Sequence, residues 1–138
     1  MDKRVRMVVV VMCGVVFAVT PYPATAQQKL DGSVPVLCAA MEVLECDAGG
    51  ECQRRGAEAA NLPPFLKVDF KAKTISTVDG SRKAPIHNVE RVDGQVVLHG
   101  GQEGRGWSAV ITSDTGKLSA SVVLSGGAFV IFGACTAP

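Results

Sequence analysis

From Phe65 onward, apolar and polar residues alternate with a period of two, the repeat of a strand with one buried and one wet face. Leu66, Val68 and Phe70 share one side of the first such segment, with Lys67, Asp69 and Lys71 on the other. A tight turn near Ala72 leads to a second segment over residues 74–78, which Asp79-Gly80-Ser81 ends. Val89-Glu90-Arg91-Val92 and Gln95-Val96-Val97-Leu98 flank Asp93-Gly94, the strongest short hairpin signal a sequence offers. A two-residue loop there sets Val92 opposite Gln95 and Val89 opposite Leu98, so Val89, Val96 and Leu98 fall on the core side. Trp107, Ala109 and Ile111 alternate with Ser108, Val110 and Thr112, and Ser113-Asp114-Thr115-Gly116 turns the chain. Leu118, Ala120, Val122 and Leu124 then alternate with Ser119, Ser121 and Val123. Ser125-Gly126-Gly127 leads into residues 128–134, apolar throughout, as expected of a strand covered on both sides.

Upstream the pattern is weaker. Residues 36–46 contain Ala39-Ala40-Met41-Glu42, which favours helix by propensity. The run is short, however, and leads into a Gly-Gly turn between cysteines, so it reads as a strand. Residues 54–61 form a polar connection with room for one helical turn, closed by Pro63-Pro64, and residues 27–35 read as a flexible lead-in. Seven to nine short strands joined in order by tight turns predict an all-β fold, an antiparallel meander curling into a small barrel. Pairing the first strand with the last removes the exposed edges.

The chain has 138 residues, and the start has a different character. Lys3, Arg4 and Arg6 precede an uncharged apolar run over residues 7–19; Pro21 and Pro23 break it, and Ala24-Thr25-Ala26 is a small-x-small cleavage site. The run is too short to cross roughly 30 Å of hydrocarbon, which takes about 20 residues. Residues 1–26 therefore read as a signal peptide, and a periplasmic or secreted β-domain over residues 36–138 follows the lead-in. Cys13 is not a lipidation site, because Met12 stands where a lipobox needs a small residue. Cleavage takes three of the 14 Lys+Arg and one of the 13 Asp+Glu, leaving a net charge of −1. That gives no electrostatic reason to expect nucleic acid, or a membrane once the signal is gone, as a partner.

Cys38, Cys46, Cys52 and Cys135 remain, an even number in an exported domain, which predicts two disulfides. The turn Asp47-Ala48-Gly49-Gly50 favours pairing Cys46 with Cys52. Cys38 with Cys135 follows by elimination and ties the first strand to the last. A metal or redox site lacks its motifs: there is no C-x-x-C, and His87 and His99 lie far along the chain from the cysteine cluster. In the Asp93-Gly94 register Asn88 faces His99, and the two histidines project to opposite faces.

Other fragments resemble chemistry without its surroundings. Asp114-Thr115-Gly116 spells the aspartic-protease triplet, yet a turn with Gly116 in the left-handed region explains it. Gly104-Arg105-Gly106-Trp107-Ser108-Ala109 fits G-x-G-x-x-A, but dinucleotide binding needs that loop to open a helix, and here a strand follows. Gly100, Gly101, Gly104 and Gly106 read instead as a flexible hairpin loop. No catalytic residue and no cofactor is expected. Trp107, the single tryptophan, is either a core aromatic or, with Arg105 beside it, a binding anchor.

The run Leu62-Pro63-Pro64-Phe65-Leu66-Lys67-Val68-Asp69, with Arg105-Gly106-Trp107-Ser108 and Phe132-Gly133-Ala134-Cys135-Thr136, resembles a set of small exported bacterial proteins without assigned activity. The resemblance implies a periplasmic β-domain and no catalytic residues. More loosely, a disulfide-tied meander of this size is similar to periplasmic lysozyme- or protease-inhibitor barrels and to lipocalin-like carriers. Three readings follow: a binding or envelope-accessory module for an unknown protein or small ligand, a hydrolase inhibitor that inserts residues 100–106 into a cleft, and a small-molecule carrier. The carrier needs an interior cavity of roughly 300 Å³ or more.

Overall fold

The computed structural model describes residues 29–138; the signal peptide read from residues 1–26 lies outside the described residues, as do Gln27 and Gln28. Among the described residues the regular structure is entirely β: β1 (Val36–Asp47), β2 (Cys52–Arg55), β3 (Phe65–Asp69), β4 (Thr74–Thr77), β5 (Lys83–Val92), β6 (Gln95–Gln102), β7 (Arg105–Thr112), β8 (Lys117–Leu124) and β9 (Gly127–Thr136). From β3 to β9 each strand pairs antiparallel with the next, and β9 returns to pair with β1. The result is a closed eight-stranded antiparallel barrel, with β2 added to the second half of β1.

Turn chemistry sets the register. Asp93 and Gly94 both have positive φ, the mirror-image turn that suits twisted strands, and Val92 faces Gln95 while Val89 faces Leu98. The same two-residue turn recurs at Glu103-Gly104. The glycine-rich stretch is therefore not a flexible loop. Gly100 and Gly101 lie in β6 and Gly106 in β7. Gly100 is needed inside a strand because a Cβ there runs into the Trp107 indole and the Pro85 carbonyl. Gly100→Ala is expected to lower stability by about 1–3 kcal/mol through overpacking, read as a reduced thermal midpoint.

One end of the barrel is filled. Val36, Phe70, Val96, Ile111 and Leu118 are buried there as part of one cluster. Part of the lead-in is anchored: Leu30 is 4% exposed, and its N–H donates to the Ser113 carbonyl at 2.9 Å. The Arg91 guanidinium donates to the carbonyls of Asp31 and Gly32, each at 2.8 Å. One leucine and two backbone carbonyls are enough to dock this polar segment across the barrel end.

Both expected disulfides are present. Cys38 and Cys135 are direct partners in the closing β1–β9 pair, with Cα atoms 3.9 Å apart. Cys46 and Cys52 are direct partners in the β1–β2 pair, 4.0 Å apart. Met41 is an extra residue in β1, since Ala40 opposes Gly133 and Glu42 opposes Phe132. This bulge lets both Ala40 and Val43 face inward. β9 is flanked on both edges, but its outer face is open: Phe132 is 43% exposed. Its continuous apolar run reflects an exposed patch with Met41 and Phe65 (76% and 51% exposed), not burial on both faces.

Candidate functional site

Inside the barrel, side-chain size changes from one layer to the next. At the filled end Ile111 faces Leu118 across β7 and β8, and both are buried. One layer up, Ala109 faces Ala120, and Ala120 faces Ile131 across β8 and β9. Two methyl groups cannot span the space that an isoleucine and a leucine fill. A cavity of about 460 Å³ follows, open toward the end that carries the β2–β3 connection and the β4–β5 and β6–β7 turns. Leu66, Ile75, Leu98, Ala109, Ala120 and Ile131 form its apolar walls.

Trp107 stands one layer above Ala109, opposite Gly100 on β6 and Val122 on β8. It lines the cavity and packs against the core cluster. Its indole N–H is buried and has no hydrogen-bond partner. Leaving such a donor unmatched costs about 1–3 kcal/mol. Arg105, two residues earlier on β7, lies on the same face and opposes Gln102 at the rim. The two residues singled out by type in the sequence thus share one wall, the indole within and the guanidinium at the mouth.

The rest of the rim comes from the turns. Arg82 approaches from β4–β5, Glu103 from β6–β7, and Leu62 and Pro63 from the β2–β3 connection. That connection holds the expected helical turn: the Ala60 N–H donates to the Gly56 carbonyl at 3.1 Å and the Leu62 N–H to the Ala57 carbonyl at 2.8 Å. Arg54 and Arg55, however, belong to β2. Arg82 Nη1 donates to the Asn61 carbonyl at 3.3 Å, tying the connection to the rim.

Asp79, in the β4–β5 turn, accepts hydrogen bonds from Thr77 Oγ1 and from the Ser81 N–H and Oγ–H. Those bonds, Thr77's foremost, hold its carboxyl at about 2, well below the usual range. With its folded pKa depressed, this support is present above the ordinary carboxylate pKa and is lost as pH falls through about 2. An NMR titration should find the Asp79 midpoint near 2, with the Ser81 amide shift following it.

Other candidates are placed plainly. His87 is the extra residue of a bulge in β5, between Ile86 opposite Gly100 and Asn88 opposite His99. The bulge alters the alternation, so both histidines are exposed on the outside of the barrel rather than divided between its faces. Among the described residues no group of three or more His, Cys, Asp or Glu is placed to hold a metal ion. Gly116 has φ +69 in the β7–β8 turn, and Asp114 beside it is exposed, as a turn reading of that triplet requires. The G-x-G-x-x-A stretch runs from a tight turn into β7, with no helix after it. A smaller hollow of about 240 Å³ lies beside β2, with the Arg55–Glu45 ion pair in its lining. Comparison of the chain with known protein families, curated proteins and solved structures finds no match.

Proposed function

We propose that this domain is a non-catalytic binding protein of an oxidising compartment outside the cytoplasm, holding the apolar part of a small molecule inside its barrel. The observation that carries the reading is the apolar cavity of about 460 Å³ open at one end of a closed, otherwise packed barrel. Binding sites for small molecules run from about 300 to 1,000 Å³, apolar with a few polar groups at fixed places. The two disulfides are compatible with an oxidising compartment, and with the export signal read from residues 1–26 they support the periplasm or the cell exterior. An inhibitor reading asked residues 100–106 to protrude; they are two strands joined by Glu103-Gly104, with Arg105 turned to the rim of the cavity.

Trp107 is a built-in reporter, being the single tryptophan and part of the wall. Titrating the purified, disulfide-intact protein with the neutral dye N-phenyl-1-naphthylamine should give saturable emission at one dye per chain, with matching loss of Trp107 fluorescence. Emission that rises without saturating, or leaves Trp107 unchanged, contradicts the reading.

A further inference from the structure

We infer that the ligand is an anionic amphiphile, with a single aliphatic chain in the barrel and a carboxylate-type head at the rim. This rests on the binding function proposed above and goes on to specify its chemistry. Two cations, Arg82 and Arg105, line the mouth against one carboxylate, Glu103, while Lys83, opposite Ser76 and through it Lys67, lies on the outer face of the sheet. Residues 27–138 carry a net charge of −1, so a positive rim runs against the overall balance. Asp79 sits in the same turn as Arg82, but its carboxylate accepts from Thr77 and Ser81 and does not line the mouth.

The rim cations have donors to spare. Among the described residues the ion pairs are Arg54–Glu42 and Arg55–Glu45, and neither involves the mouth. Arg82 uses one N–H on the Asn61 carbonyl, out of the five that a guanidinium carries. Below Arg105, on the same face of β7, the Trp107 indole sets its Cε2–Cζ2 edge against Gly100, with its N–H enclosed in the wall. Below that, Ala109, Ala120, Leu98 and Ile131 present only carbon. From mouth to floor the site runs from cations to hydrocarbon. A molecule matching both levels has an anionic head and an apolar tail. A cationic head meets like charge at the rim, and a neutral apolar molecule leaves the rim unused.

Displacement of N-phenyl-1-naphthylamine tests this with decanoate, decanol and decylamine, each below its aggregation limit. Decanoate is expected to bind about tenfold more tightly than decanol at low salt, the worth of a charge-assisted hydrogen bond. Decylamine should bind more weakly than either, and the decanoate advantage should shrink as salt rises. Shortening decanoate to octanoate should weaken binding about fourfold per methylene removed. Arg82→Gln with Arg105→Gln should erase the preference for decanoate, while Lys67→Gln, on the outer face of β3, should leave it intact. Anionic phospholipid vesicles provide the membrane-lipid arm: decanoate that displaces dye in their absence, with no retention of protein on the vesicles, supports a dissolved single-chain ligand. Retention on vesicles without displacement by decanoate overturns it. Equal displacement by the three head groups overturns the anionic assignment and leaves the cavity reading standing. Failure of the dye itself to bind removes both.

Discussion

Replacing Cys38 and Cys135 together by alanine is expected to lower the free energy of unfolding by about 4–5 kcal/mol, against about 2 kcal/mol for Cys46 and Cys52. The two bonds have similar local settings, each joining direct cross-strand partners. They differ in the chain they close, with sequence separations of 97 and 6 residues. A cross-link removes freedom from the unfolded chain in proportion to the logarithm of that loop, which accounts for the difference. Packing adds to it. Cys38 and Cys135 are both buried in the core cluster, so losing two sulfur atoms also opens space there. Cys52 is exposed on a strand whose four residues all face solvent. Urea unfolding of the two double variants gives the comparison, and equal losses would contradict an entropic origin.

The second large effect is on binding. Ala120→Phe should weaken dye uptake by about a hundredfold or more, because the ring occupies the apolar volume the ligand needs. The fold should tolerate it. Ala120 faces Ala109 on one side and Ile131 on the other, and the space between is open, so the phenyl group fills a void. That is the opposite of Gly100→Ala, where one methyl group strikes an indole and a carbonyl. The thermal midpoint of Ala120→Phe should hold or rise as binding is lost. Ala134→Phe, on the exposed face of β9, should leave dye binding unchanged. If Ala120→Phe retains full binding, the ligand is not in the barrel.

Much of this fold was legible because period-2 alternation marks a strand with one buried face, and Asp93-Gly94 pins a register. The disulfides were legible from a Gly-Gly turn and an even cysteine count. Other features were hidden for identifiable reasons. β2 has four exposed side chains and so no alternation; Cys46–Cys52 and the pairing of Arg54 and Arg55 with Glu42 and Glu45 hold it on β1. β5 begins at Lys83, before Pro85, a residue that normally ends a ladder. Pro85 sits opposite Thr74 at the start of β4, and Ile86 resumes bonding with its N–H on the Lys73 carbonyl. Leu30 was lost in a polar segment whose anchors, Arg91 and Ser113, lie far along the chain.

The cavity was the hardest feature to foresee. Alternation shows that Ala109 and Ala120 face inward, but only the register of β7 on β8 places one methyl group opposite the other. The turn between those strands, residues 113–116, is longer than a two-residue hairpin loop and left that register open in the sequence. Arg105 and Trp107 stood out by residue type. Their common wall was visible only once Glu103-Gly104 was seen to be a two-residue turn, which continues β7 back to Arg105.

Intermolecular nuclear Overhauser effects between N-phenyl-1-naphthylamine and the methyl groups of the saturated protein test barrel occupancy most directly. The expected result is cross-peaks to Ala109, Ala120 and Ile131 inside the barrel. Cross-peaks instead to Met41 and the rings of Phe65 and Phe132 on the outer face, or none at saturation, would contradict it.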